Sequence, residues 1–364
     1  MRLVLAIALL LASLLAACAP REGAAPAPPP SAADQPRQQA PAPDQAAAPT
    51  AAAPASGALP AKVNALYSSR NVDSLVFYVA DKYGFWSQEG LPVELGYAAS
   101  NTADAALLSG QAQVIAGGGA GAIAAAANGA DVLLVAGIFN STPFRLLAEP
   151  SIRTPADLKG KRVGITRPGS VTDMTARLAV ERLGLDPRSD VEYVAMGDIR
   201  VMLAGFGTGA IQAGMAYPPD TAPLEDQGYN TLWDPAKENF PFQHKAIEVT
   251  ADWARQYPAA MDRLLRGAIR AIHFIRTNRT ETIAAISDFI NVTDQRGLAD
   301  AYDEIVLPLI PEEPYASVEG TRYILDFLAR DNPAMGSVDP ARIVDNHWVQ
   351  QIVDSGFVAQ LYGR

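Results

Sequence analysis

The 364-residue chain is 49% hydrophobic and 19% charged, and its 29 Lys and Arg against 39 Asp and Glu give a formal net charge of −10. An acidic surface with no basic run argues against nucleic acid and against electrostatic docking on anionic lipid. One Cys and three scattered His exclude an internal disulfide framework and a thiolate metal cluster.

Residues 1–17 read as a secretory signal peptide: Arg2, an apolar stretch over 3–15, then small residues. That stretch is short for a membrane span, which takes about 20 apolar residues. The run Leu15-Ala16-Ala17-Cys18 resembles the bacterial lipoprotein cleavage box. The resemblance implies cleavage before Cys18 and acylation of the new N-terminus. The protein would then be lipid-anchored on the outer face of the cell membrane, at a net charge of −11 once Arg2 is lost. Residues 18–60 are dominated by Ala and Pro and carry no apolar periodicity, so nothing there offsets chain entropy. At about 3.1 Å per extended residue, roughly 40 residues reach on the order of 100 Å, which makes this segment a tether.

The remaining residues exceed one small core. The apolar run 63–67 reads as a strand, and the cap-type residues Ser68-Ser69-Arg70-Asn71 precede a helix over 75–83 stopped by Gly84. A strand over 91–97, a helix over 102–109 and a buried strand over 112–116 follow. Gly117-Gly118-Gly119-Ala120-Gly121 turns into an Ala-rich helix, and 132–139 is a further buried strand with 145–148 expected to return beside it. The pattern restarts after 150: strands over 161–166, 191–196 and 212–217, helices over 172–183 and 199–206. A strand over 246–250 opens a helical region, with helices near 259–278, 280–290, 318–331 and 340–354. Strands alternating with helices imply α/β lobes, each a mostly parallel sheet covered on both faces. The expected division is 62–150 plus 245–364 as lobe 1 and 151–244 as lobe 2, with two hinge crossings and a cleft between the lobes.

Three stretches support a family assignment: Gly84-Phe85-Trp86 leading through Glu89-Gly90-Leu91 into Val93-Glu94-Leu95, then Leu108-Ser109-Gly110-Gln111-Ala112, and Asp157-Leu158-Lys159-Gly160-Lys161-Arg162-Val163-Gly164. Over nearly all of 62–364 the chain resembles the solute-binding proteins of ABC importers, in the branch that holds aliphatic-sulfonate, nitrate, thiamine-pyrimidine-precursor and riboflavin binders. The resemblance implies a two-lobed periplasmic-binding-protein-like fold of type II and a permease with its ATPase as partners. Phe85, Trp86 and Leu91 read as a plug for the base of lobe 1 rather than as ligand contacts.

Fold and family together imply binding outside the carboxyl ends of the strands, where loops enter helix N-termini. The candidate ligand-binding residues are Ser69, Arg70, Asn71, Gly118, Gly119, Asn140, Ser170, Thr172, Tyr217 and Asp220. Ser170 with Asp173 also has capping-box spacing, which would serve the helix alone. The glycine run matches neither a dinucleotide fingerprint nor a P-loop.

His244, His273 and His347 match no metal spacing and no Gly-x-Ser-x-Gly elbow appears, so the reading is a non-enzymatic, monomeric binder without metal or cofactor. His244 is the His expected nearest the cleft. Aromatic residues Tyr67, Phe139, Phe144 and Tyr217, with carboxylates that accept N–H bonds, point to a heteroaromatic vitamin or precursor such as riboflavin or an aminopyrimidine. Ser- and Thr-rich helix N-termini with Arg70 suit the alternative, an aliphatic sulfonate such as taurine, or nitrate. A lipoprotein sensor or adaptor without transport is the reading of another class.

Overall fold

The computed structural model describes residues 58–238 and 240–364. Cys18, the leader and nearly all of the Ala/Pro segment lie outside the described residues, and the anchor and tether remain expectations from sequence.

Among the described residues ten strands follow in chain order: β1 (Val63–Tyr67), β2 (Val93–Tyr97), β3 (Val114–Gly117), β4 (Leu133–Phe139), β5 (Arg145–Ala148), β6 (Arg162–Ile165), β7 (Glu192–Ala195), β8 (Ala213–Ala216), β9 (Asn230–Trp233) and β10 (Lys245–Val249). They form two five-stranded sheets, ordered β2-β1-β3-β10-β4 and β7-β6-β8-β5-β9. In each sheet four strands share a direction and one inserted strand, β10 or β5, runs antiparallel to both neighbours. Both inserted strands begin where the chain has just crossed from the other sheet, after 140–144 and after 234–244. Two lobes of one strand plan are thus joined by two crossings.

This topology corrects one expectation. Residues 145–148 do not return beside the strand of 132–139; β5 pairs with β8 and β9 in the second sheet. The first crossing therefore lies at 140–144, and the expected boundary at 150 falls after a strand that already belongs to lobe 2.

The helices that shape the cleft and its flank are α1 (Leu75–Lys82), α2 (Phe85–Gln88), α3 (Ser100–Leu108), α4 (Gly119–Ala127), α5 (Val171–Arg182), α6 (Ile199–Gly207), α7 (Ala222–Asp226), α8 (Ala251–Gln256), α9 (Pro258–Thr277), α10 (Arg279–Ile290) and α11 (Gln295–Asp300). Helix α9 starts with Pro258, whose missing N–H is among those left unpaired at any helix start. Its Met261, Leu264, Leu265, Ala268, Ile269, Ile272 and Ile275 recur at helical spacing and are all buried. Trp86 packs into this face at Gly267, where a Cβ would stand 2.3 Å from the indole. The indole N–H donates to the Leu264 carbonyl at 3.1 Å. Trp86 and Leu91 are buried and Phe85 is half-buried, so the Gly-Phe-Trp cassette packs as core.

Candidate functional site

A cleft cavity of about 890 Å³ is lined by residues of both lobes and of the crossings. From lobe 1 it takes the loop after β1, the start of α3, the Gly118–Gly121 turn and the end of α10; from lobe 2, the loop after β6 and the starts of α5 and α6. Four helices of nine residues or more, α3, α4, α5 and α6, begin at its wall. Their first N–H groups are unpaired within the helix and carry a partial positive charge.

Lobe 1 supplies a floor of buried charge. Lys245, at the start of β10, is 2% exposed, and its ammonium donates to Ser68 Oγ at 3.0 Å and Ser69 Oγ at 3.2 Å. The same ammonium lies 3.6 Å from Asp73 Oδ2, and His244 Nε2 lies 3.3 Å from that oxygen. Ser69 in turn donates to Asp73 Oδ1. Burial alone would raise the Asp73 carboxyl, but the Lys245 ammonium and the His244 and Ser69 hydrogen bonds outweigh it and hold the group well below the usual carboxylate range. His244 is pushed down by burial, against the opposing pull of Asp73, so its imidazole is neutral at pH 7.

A second carboxyl lies behind the glycine turn. Glu248 on β10 is 1% exposed and neither of its oxygens has a hydrogen-bond partner. A Cβ on Gly117 would stand 2.2 Å from one of those oxygens, so any side chain there would have to displace the Glu248 carboxyl. Burial, reinforced by Asp104, raises the Glu248 carboxyl well above its ordinary value and so favours its neutral form.

Lobe 2 meets this floor with hydroxyls. The Thr166 amide donates to Thr172 Oγ1 at 2.8 Å, and the hydroxyls of Thr166, Ser170 and Thr172 lie within 3.0 Å of one another. Ser170 caps α5 by accepting from the Asp173 amide at 3.3 Å, and Asp173 is tied to Arg177 at 2.7 Å. The lobes come close at the floor: a Cβ built on Gly118 would lie 3.8 Å from Val171 Cγ2.

Four charged groups face the cavity without a hydrogen bond or ion pair among the described residues. Arg70 lies 5.0 Å over the Tyr97 ring, and Arg167 lines the cavity from lobe 2. Asp104 in lobe 1 is raised to about 6 by burial, against the pull of Arg167 and Lys245. Asp220 in lobe 2 is likewise raised to about 6 by burial, with Arg200 opposing. Each lobe therefore presents one unpaired guanidinium and one unpaired carboxyl.

Of the residues proposed from sequence, Ser69, Arg70, Asn71, Gly118, Ser170, Thr172 and Asp220 line the cavity. Three do not. Gly119 abuts the Gln243 carbonyl, which a Cβ would approach to 2.5 Å. Asn140 donates its amide to the Tyr315 carbonyl at 2.8 Å, turned toward the C-terminal part of lobe 1. Tyr217 is buried behind the wall, edge-on to Phe144 at 4.9 Å. Of the expected aromatic rim only Phe144 lines the cavity; Phe139 is core, and Tyr67 packs on Tyr97 and Phe289. Tyr97 and Phe289 supply the other rings instead. Sequence reasoning also missed Lys245, Asp104 and Arg167. His244 does reach the cavity wall, while His273 packs edge-on to Tyr362 and His347 sits half-exposed beside Asp345. Among the described residues no group of three or more His, Cys, Asp or Glu is placed to hold a metal ion, and no helix is long and apolar enough to cross a membrane.

Two α/β lobes, two crossings and a cleft walled by helix N-termini define the type II fold of periplasmic solute-binding proteins. Residues 71–282 match the NMT1/THI5-like family, and the chain belongs to it. Among solved structures it is similar to the alkanesulfonate-binding protein SsuA from Xanthomonas axonopodis pv. citri bound to MOPS, at 19% identity and a TM-score of 0.63, over 79% of this chain and 99% of that one. The periplasmic aliphatic sulphonate binding protein SsuA from Escherichia coli aligns at 20% identity and a TM-score of 0.64, over 79% and 92%. The periplasmic nitrate-binding protein NrtA from Synechocystis PCC 6803 aligns at 16% identity and a TM-score of 0.66, over 82% and 90%. Comparison with curated proteins gives no match.

Proposed function

We propose that this protein is the solute-binding component of an ABC importer, held at the outer face of the membrane through acylated Cys18, and that it captures a small heteroaromatic solute of the riboflavin or aminopyrimidine type for a permease and its ATPase. One observation carries the choice of solute. Each lobe offers an unpaired guanidinium and an unpaired carboxyl, Arg70 with Asp104 and Arg167 with Asp220, in a cavity of about 890 Å³ that Tyr97, Phe144 and Phe289 also line. A simple anion would meet the guanidinium groups and be opposed by the carboxyls. A neutral ring with both acceptors and N–H donors satisfies all four, and its faces suit the aromatic rings.

The role is binding without reaction. Ser69 donates to Asp73 rather than to His244, and the ammonium facing it is held by Asp73, so no base is poised to activate its hydroxyl. Closure follows from contacts that a solute makes with both lobes at once, which favours the closed arrangement by their differential affinity.

A sulfonate or nitrate ligand is the second reading, favoured by the four helix N-termini at the cavity wall. A thermal-shift panel of riboflavin, an aminopyrimidine, taurine and nitrate separates the two. Stabilisation by a ring compound is the expected outcome; stabilisation by taurine or nitrate alone overturns the heteroaromatic assignment. For the anchor, Cys18→Ser should release the protein from membranes with binding intact, and retention would refute lipidation. A neighbouring gene pair encoding a permease and an ATPase would separate uptake from a sensor role.

A further inference from the structure

Residues 290–304 make a third connection between the lobes. They follow α10, belong to the C-terminal part of lobe 1, and are secured there by the Tyr302 hydroxyl, which donates to the Ile275 carbonyl at 3.0 Å. Three arginines join them to lobe 2. Arg200 at the start of α6 donates to the Ile290 carbonyl at 3.3 Å. Arg296 on α11 donates to Asp226 at 2.8 Å and to the Ala222 carbonyl at 2.9 Å, both on α7. Arg145 on β5 donates to Glu304 at 2.5 Å while its Nε lies 3.1 Å from Asp234, at the start of the second crossing. Between these contacts Gly297 lies against Pro219 of lobe 2, where a Cβ would come to 3.0 Å.

The ends of this segment sit at different places. Ile290, Asn291 and Val292 line the solute cleft, whereas Asp300 and Glu304 line a separate cavity of about 530 Å³ beside the crossings. Its backbone departs from regular helix twice. Asn291 holds a left-handed conformation at φ 57, and Ala301–Val306 is a π-helical turn, a rare form that is frequent at functional sites. Two crossings alone permit rotation about the line that joins them. A third contact away from that line resists the rotation, and its bonds must break or slide when the lobes move.

We propose that residues 290–304 are a strap that sets the solute-free equilibrium between lobe arrangements, with Arg145 and Arg296 as its fastenings on lobe 2. Arg296 and Glu304 are about half exposed and Asp226 more so, which suits a fastening that detaches. Arg145 keeps its buried partner Asp234 when Glu304 leaves, so release strands no buried charge. The strap acts whatever solute the cleft takes, and it is tested without one.

Spin labels on Ser109→Cys in lobe 1 and Arg188→Cys in lobe 2, in the Cys18→Ser chain, report the interlobe distance by pulsed electron paramagnetic resonance. Both positions are exposed. Combining Arg296→Ala with Glu304→Gln should broaden the distribution and change the ratio of lobe arrangements roughly fivefold, the combined effect of two ion pairs whose carboxylates are half exposed or more. Exchanging the pair, Arg296→Asp with Asp226→Arg, should return the distribution toward that of the parent. Arg255→Ala removes an exposed pair within one helix and should change nothing. A loosened variant whose distribution superimposes on the parent, or a control that broadens equally, overturns the strap. Circular dichroism confirms that each variant is folded, and the exchanged pair keeps the test decisive if the double loss unfolds the chain.

Discussion

The turns after β1 and after β6 hold equivalent places in two sheets of the same strand plan, yet their chemistry differs. After β1, the Ser68-Ser69-Arg70-Asn71 turn rests on a buried ion pair, because β10 returns beside β3 and brings His244 and Lys245 beneath it. After β6, Thr166, Ser170 and Thr172 satisfy one another, and the acidic residue of the turn, Asp173, is tied to the helix by Arg177. The same architecture therefore supports one lobe with fixed charge at its floor and one with neutral hydroxyls. Charge fixed in lobe 1 orients the turn, and in the proposed closure lobe 2 would add its contacts from the other side.

The strongest way to break that contrast is Lys245→Met. It leaves Asp73 buried with only a neutral imidazole and hydroxyls, and an orphaned partner of a buried pair costs about 3–5 kcal/mol. Urea unfolding should show this loss, and a change below about 1 kcal/mol would mean that the pair does not support the floor. Adding Asp73→Asn should recover part of it. The parallel change in lobe 2, Thr172→Val, removes one neutral acceptor and should cost only about 1–2 kcal/mol.

Next in size is Gly117→Ala. The new methyl would occupy the space of the Glu248 carboxyl and should destabilise by about 1–3 kcal/mol. Pairing it with Glu248→Ala should restore much of the loss. If the double variant is no better than the single, the clash is not the cause.

Arg167 sharpens the contrast from the side of lobe 2, because nothing among the described residues holds its guanidinium. Arg167→Ala should leave the unfolding midpoint unchanged and weaken binding of whichever panel compound stabilises the parent by roughly tenfold, the loss of one charge-assisted hydrogen bond. Calorimetric titration measures it, and an unchanged affinity removes Arg167 from the site.

How much of this was legible in sequence follows from the range of the interactions. The strand β1, the glycine turn and the Ser170 cap rest on residues close in the chain, and their composition announces them. The run 145–148 is four apolar residues that fit either sheet equally well, and its partners β8 and β9 begin more than 60 residues later. Lys245 looks like an ordinary residue before a strand; it becomes a floor only because β10 returns beside β3, 177 residues after Ser68. The strap left no clear periodic signal, since α11 and its π-helical turn run on to Pro308 and are interrupted by Gly297. Tyr217 carried the cue expected of a cleft aromatic, a ring at a strand end before two prolines, but Phe144 stands between it and the cavity, and that is a matter of packing.

The smallest effect concerns Asp104, and its sign distinguishes an unpaired cleft carboxyl from the paired one at Asp73. Below about pH 3 Asp104 is protonated in both folded and unfolded chains. Its folded value is raised to about 6, so the folded chain holds the proton more tightly. The stability this gives is fully present below the unfolded value and is lost as pH rises through the folded one. Asp73 behaves oppositely: its folded value is depressed, so its contribution is present at neutral pH and fails only in strong acid. Asp104→Asn cannot ionise and should show a smaller fall in stability between pH 4 and pH 7 than the parent, by roughly 1–2 kcal/mol after screening by cleft solvent. Asp220 and His244 titrate in both proteins and cancel in the difference. Urea midpoints at the two pH values measure it; an equal fall in both proteins would mean that the Asp104 carboxyl is already solvated like a surface group and is not held ready for a partner in the cleft.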